Sequence, residues 1–268
     1  MINFFRKIRK KLADDNKLFK YSRYAIGEIV LVVIGILIAL SINNWNEERK
    51  TNVNLSNKLE LLIANLENDK IAFTRNKEQL RFKIYALQHL LKLVGKQPVS
   101  FKEHLKEGMY VIPYKETSEF WKGPYPQYEN KEFIGKTFLE AGRTYLAVNN
   151  TMAFDELKSS SMISLIENDA LTRNLMGYYR AIELQYNGKY LQVLEKFREE
   201  FKNQGVLFLN TDTLEEPLKL ITNEPRFEAS LKEVIYESVW IAHLFEQRLV
   251  NMDSLLINEI ENEIKKLN

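Results

Sequence analysis

Cysteine is absent from all 268 residues, which removes disulfide frameworks and thiol chemistry and leaves little basis for a zinc site. Glycine and proline are scarce, at ten and six, too few for the many turns of a sandwich or barrel; a body rich in Leu, Lys, Glu and Asn points to helices instead. The three histidines, His89, His104 and His243, show no His-x-x-x-His or Glu-x-x-His pairing that would set two ligands on one helix face. A glycine-rich phosphate loop, a Gly-x-Ser-x-Gly elbow and a calcium loop are also missing. Ser159-Ser160-Ser161 has no recognisable base nearby and reads as a helix-ending turn. Glu195, Glu199 and Glu200 share a helix with Lys196, Arg198 and Lys202, which makes a solvated face rather than a carboxylate pair. The sequence therefore assigns no catalytic residue, cofactor or metal, and an enzyme would need residues assembled by the fold alone.

What the chain does have is charge at one end and a long apolar run beside it. The net charge of +2 conceals an asymmetry: residues 1–24 hold eight of the 38 Lys/Arg against Asp14 and Asp15, leaving 30 basic against 34 acidic residues in the rest. A basic head on a mildly acidic body argues for a membrane surface and against nucleic acid. Within the head, Phe4, Phe5, Ile8 and Leu12 fall on one helical face and Arg6, Lys7, Arg9, Lys10 and Lys11 cover the other. Two readings stand, an amphipathic helix lying at the interface or a basic tail that only sets topology.

Ala25–Ile42 is apolar except for Glu28 and Ser41. Eighteen helical residues span ~27 Å, just enough for a bilayer core. Tyr21 and Tyr24 on one side and Trp45 on the other suit the two interfaces. Eight basic residues precede the run, whereas Arg49 and Lys50 after it are offset by Glu47 and Glu48. The positive-inside rule then predicts a cytoplasmic amino terminus and an outer body. Ala39-Leu40-Ser41 resembles a cleavage site, but the long basic region and the unbroken helical continuation favour an uncleaved signal anchor. The expected organisation is a cytoplasmic head over 1–24, an anchor over 25–46 and an extracytoplasmic helical domain over 47–268.

Glu28 is the unusual residue, since an ionisable group in a membrane segment is costly and by default a functional candidate. It shares a helical face with Val32, Gly35 and Ala39, and Gly35-x-x-x-Ala39 is a small-xxx-small pair that lets another helix approach. Contact with a partner helix, in a homo-oligomer or a larger membrane complex, stands beside snorkelling of Glu28 to the headgroups. A single helix with one carboxylate offers no ion pathway of its own.

Residues Lys20–Lys50, KYSRYAIGEIVLVVIGILIALSINNWNEERK, resemble the signature opening of a domain-of-unknown-function family of Bacteroidota membrane proteins. FDELKSSSMISLIEND (Phe154–Asp169) and Tyr178-Tyr179 are similar to that family's body, although the serine run here lacks the glycine that commonly ends it there. The resemblance implies a single-pass inner-membrane protein with a helical periplasmic domain, and it brings no activity, cofactor or site residue.

The body reads as mainly α, an antiparallel bundle with two long helices. The first is predicted over Glu47–Gly95, on a stripe of Leu55, Leu59, Leu62, Leu66, Phe73, Leu80, Ile84, Leu87, Leu91 and Val94 with polar lapses at Asp69 and Asn76. Its register slips near 69–77, which favours bundle packing over a clean two-stranded coiled coil. No breaker separates it from the anchor. A short helix follows near Phe101–Glu107, then the irregular segment Gly108–Asn130 with Pro113, Pro124 and Pro126 and the aromatics Tyr110, Tyr114, Phe120, Trp121, Tyr125 and Tyr128. Those rings either recognise a ligand or partner or cap the bundle as a satellite core, the latter favoured. Further helices are predicted over Lys131–Val148, with Gly135 and Gly142 packing closely on a neighbour, and over a single stretch from Asn168 to Gly205, kinked at Asn187-Gly188. Val206–Leu209 reads as a strand-like connector. A small helix begins near Pro217 and the last long one at Pro225, with a stripe that includes Phe245, Leu249, Met252, Leu256, Ile260 and Ile264.

Three functional classes fit this pattern: an anchored interaction or scaffold module, a binding or sensing module that needs a partner to signal, and an enzyme without a legible motif. An apolar stripe left exposed on a long helix would favour assembly, a deep polar-lined pocket binding.

Overall fold

The structure, a computed structural model, describes residues 6–7, 18–145, 150–186 and 188–267. The amphipathic pattern of the head, the side chain of Tyr21, Val148 and Asn187 lie outside the described residues. The chain forms two compact units, one reaching to Ser56 and the other running from Asn57 to Leu267.

Helix α1 spans Leu18–Leu93 without interruption, as the absence of proline across it allows. It stops where Gly95 takes a left-handed φ of 71°. The Lys96 N–H then donates to the Leu91 carbonyl at 2.8 Å and the Gly95 N–H to Lys92 at 3.0 Å, a glycine C-cap of the Schellman type. In the first unit no residue of the apolar window of α1 is buried, and α1 is long and apolar enough there to cross a membrane.

The second unit adds α2 (Lys102–Lys106), α3 (Lys131–Gly142), α4 (Met152–Ser159), α5 (Asp169–Tyr186), α6 (Lys189–Asn203), α7 (Lys219–Asn223), α8 (Pro225–Leu244) and α9 (Asn251–Leu267). No strand occurs among the described residues. Local chemistry sets several of the starts. The Asn130 side chain accepts from the Phe133 N–H at 2.9 Å, Asn168 accepts from Ala170 and Leu171, and Pro225 opens α8, where a missing N–H costs nothing.

Side-chain bonds reveal the directions of the rods. Lys70 and Lys77 of α1 and Lys96 just past its end reach Ser254, Glu246 and Glu228 in turn, so partner numbers fall as these rise, and α8–α9 runs antiparallel to α1. Asp69 meets Tyr178 and Lys83 meets Tyr190, so α5–α6 runs parallel to α1. Asn174 bonds Glu259 and the Glu167 N–H bonds Glu263, which sets α5 antiparallel to α9. The unit is a three-rod bundle with short helices added, and leucines and phenylalanines from all three rods are fully buried between them.

Four expectations are corrected. The stretch after Asn168 is two helices, because Gly188 sits in an extended conformation (φ −81°, ψ 162°) that ends one and starts the next. Helix α3 stops at Gly142, where Arg143 turns extended, so Tyr145 is buried from a non-helical segment. Residues 206–209 make a turn rather than a strand, with Phe208 and Leu209 both at left-handed φ (54° and 58°). Finally, between α8 and α9 the helix widens into a π turn over Phe245–Val250. That turn carries Asp253 inward where the apolar stripe predicts Met252, and Glu263 where it predicts Ile264.

Candidate functional site

On the apolar part of α1, Val32, Gly35 and Ala39 are exposed and Glu28 is half-buried. A Cβ placed on Gly35 would meet no atom within 4 Å, so the backbone on this face is open to close approach. Tyr24 and Trp45 are exposed, and the Arg49 guanidinium lies 5.9 Å over the Trp45 ring. The small residues and the two described aromatic anchors are thus uncovered on α1, the arrangement a bilayer or a second helix would fill.

The aromatic segment folds back on α1. Phe82 meets Phe120, Tyr125 and Phe133 at 6.1–6.3 Å between ring centres, and Tyr114 meets Tyr85 at 5.3 Å. Trp121 packs on Phe133 at 5.0 Å. Backbone groups of the segment are held by the same helix: Arg81 Nε donates to the Pro113 carbonyl at 3.0 Å, the Tyr85 hydroxyl to Ile112 at 2.6 Å, and His89 Nε2 lies 2.8 Å from the Pro126 carbonyl. Tyr128 alone among the six predicted aromatics is almost fully exposed, at 82 %. Burial raises the Tyr125 phenol above its usual range, helped by Tyr114 and Tyr85. The segment is a satellite core, with Tyr114 and Tyr128 left at its surface.

Among the buried ionisable groups, Lys83, Asp69 and Asp253 stand out, and none of them is a site candidate in the sequence. Lys83 is fully buried; its Nζ donates to the Arg143 carbonyl at 2.7 Å and to the Tyr190 hydroxyl at 3.0 Å, and sits 4.8 Å over the Tyr145 ring. Burial drives its pKa well below the ordinary lysine value, with Glu140 opposing. Glu140 is itself buried and bonded to Tyr145 and Arg143. The amine here is a hydrogen-bond hub that fixes the segment after α3. Arg198 completes it from α6, reaching the Gly142 carbonyl at 2.8 Å and the Thr144 hydroxyl at 2.9 Å. A Cβ at Gly142 would meet the Leu209 side chain, which packs directly on this glycine. The other two groups, Asp69 and Asp253, are buried around Tyr178. Asp69 had a signal, a polar lapse in the α1 stripe; Lys83 and Asp253 had none.

A cleft of about 540 Å³ opens where the α5–α6 break faces α8. Ala181, Leu184, Tyr236, Trp240 and Leu244 supply apolar walls, with Glu107, Lys189, Glu237 and His243 also lining it. Lys189 pairs with Glu237 at 3.0 Å, and His243 Nδ1 accepts from the Tyr110 N–H at 2.8 Å. The Tyr236 ring lies 4.1 Å from that of His104, whose two ring nitrogens are buried with no hydrogen-bond partner among the described residues. Size and lining suit an apolar or aromatic group carrying one or two polar atoms. No group of three metal-binding side chains occurs among the described residues.

A helical body with one candidate membrane helix at its amino-terminal side is the class that fold and site define. The chain belongs to a family of unknown function, DUF6090, whose model matches residues 28–238, from Glu28 in the apolar run to Ser238 in α8. No curated protein and no solved structure matches it.

Proposed function

We propose that this protein is a membrane-anchored interaction module that joins a complex through the α1 face of Glu28, Val32, Gly35 and Ala39. In this reading α1 crosses the inner membrane once, the basic head is cytoplasmic and the helical body is periplasmic. It acts as a scaffold without cofactor, nucleic acid or chemistry of its own. The observation that carries the reading is that no residue of the 18-residue apolar window of α1 is buried: a run apolar but for Glu28 and Ser41 would be insoluble unless lipid or another helix covered it. Glu28→Gln with Gly35→Leu is expected to strip co-purifying partners from the protein in mild detergent, or to change its oligomeric state. Unchanged partners and size would remove the membrane-face reading. A periplasmic reporter fused after Asn268 is expected to be active, and its silence would reverse the topology.

The cleft beside Trp240 supports a second reading, a ligand-binding module that signals through a partner. Its mainly apolar lining and its volume of about 540 Å³ fall within the range of small-molecule sites. Quenching of tryptophan fluorescence by an added ligand, lost in Trp240→Phe, is the outcome expected of it.

A further inference from the structure

Three rods each deliver one polar group to the same buried place. Asp69 of α1 is 3 % exposed, and Tyr178 of α5 and Asp253 of α9 are fully buried. The Tyr178 hydroxyl donates to Asp69 Oδ2 at 3.1 Å. One hydroxyl has one proton, so it serves one carboxylate at a time. Both Asp253 oxygens lack a well-formed hydrogen bond among the described residues, as does the buried Tyr179 hydroxyl. Phe73 packs against the rings of both Tyr178 and Phe245, and Phe154 stacks on Tyr179 at 4.1 Å, so aromatic rings wall the place.

The charged groups facing this place do not neutralise it. From α1, Lys70 attracts Asp253, but it is exposed and its Nζ donates to Ser254 Oγ at 2.9 Å. Lys77 is paired with Glu246 at 2.5 Å. From α4, Asp155 adds negative charge near Tyr179 and is itself paired with Lys158. The Asn150 backbone N–H steadies Asp69. From α5, Asn174 is committed to Glu259. Two ionised carboxylates in such a site repel each other and are poorly solvated, and a bound proton removes both penalties.

The π turn over Phe245–Val250 lies just before Asp253 in the chain. With it, Asp253 points inward and Met252 is half-buried.

We propose that Asp69, Tyr178 and Asp253 form a proton-operated clasp. A protonated carboxyl holds α1, α5 and α9 together, and loss of that proton releases Asp253 and loosens α9 against its neighbours. Burial, the first cause in each case, raises Asp69 to about 6 and Asp253 to about 7, with the Asp69 charge adding to the rise at Asp253. The transition is thereby placed near neutral pH.

The test uses the full chain in mild detergent. Amide hydrogen exchange in α9, corrected for intrinsic rates, is expected to accelerate at least about tenfold between about pH 5.5 and about pH 8.5, while α3 and α6 change little. Asp253→Asn, permanently neutral, is expected to abolish this acceleration. Infrared difference spectra of the unmodified protein are expected to show a buried protonated carboxyl at the lower pH that disappears at the higher, a readout that does not depend on the variant folding. Three results would overturn the clasp: α9 exchange indifferent to pH, pH dependence undiminished in Asp253→Asn, or protection at high pH restored by added calcium or sodium, which would make the site one for a cation.

Discussion

Where α3, α6 and α8 meet, Phe138, Phe197, Phe201 and Phe227 interlock with ring centres 4.9–5.7 Å apart and no solvent exposure. Where α1, α5 and α9 meet, burial is just as complete, yet two carboxyls and two tyrosine hydroxyls occupy the space between the rods. The aromatic junction is held by dispersion and the hydrophobic effect, which pH does not touch. The acidic junction has a stability that depends on protons. A single bundle thus contains one permanently closed junction and one conditional junction, and the conditional one lies beside the π turn.

Phe227→Ala is the harshest test of the closed junction. Phe227 touches three other phenyl rings and is fully buried, so its removal leaves a cavity that helix ends in contact cannot easily refill. A loss of about 3–5 kcal/mol is expected, and the loss should be the same at about pH 5 and about pH 8 in denaturant titrations. A pH-dependent loss would break the comparison.

The acidic junction comes next. The folded-state pKa values of Asp69 and Asp253 are raised above the ordinary 3.8, so the folded protein binds protons more tightly than the unfolded one. Their contribution to stability is complete below about pH 4 and is lost as pH rises through about 6–7, after which the curve is flat. At about 1.4 kcal/mol per pH unit, the rises from 3.8 to about 6 and about 7 bound the decline at about 7 kcal/mol between about pH 4 and about pH 8. Asp253→Asn should remove most of it and leave the variant more stable than the parent at the higher pH. Chemical unfolding at several pH values measures both.

The two junctions also differ in how far the sequence discloses them. Phe197, Phe201 and Phe227 stand on apolar stripes at 3–4 spacing, and Phe138 does so on α3, so period alone places them inside. Asp69 appears as a lapse in such a stripe, visible but without meaning until α5 supplies Tyr178. Asp253 is invisible, because an apolar template selects its neighbour Met252; the inward turn comes from a π turn that no local residue announces. Phe82 and Lys83 escape for another reason. From Leu80 to Leu91 nearly every side of α1 is covered, on one flank by the aromatic segment, and a one-face template cannot represent a helix buried all round. The break at Gly188 is marked by Asn187-Gly188, yet the apolar stripe keeps phase across it, so periodicity conceals what the glycine reveals. That Glu28, Val32, Gly35 and Ala39 share one side of α1 follows from helical period alone, because a single uninterrupted helix needs no tertiary partner to define its faces.

The smallest effect comes from Lys70, and it separates a proton device from a site that is merely buried. Lys70 attracts Asp253 from the exposed side of α1. Its attraction favours the ionised carboxylate, so Lys70→Met should raise the pKa of Asp253 and move the stability transition to higher pH. An exposed charge is well screened, so the shift should be a few tenths of a pH unit, about 0.5 kcal/mol or less. The shift should fade as salt shortens the Debye length to ~3 Å at 1 M. Because the Lys70–Ser254 hydrogen bond is lost as well, Ser254→Ala is the matched control, expected to leave the midpoint in place. A midpoint that moves downward in Lys70→Met, or that moves equally in Ser254→Ala, would mean that the transition belongs to a group other than Asp253.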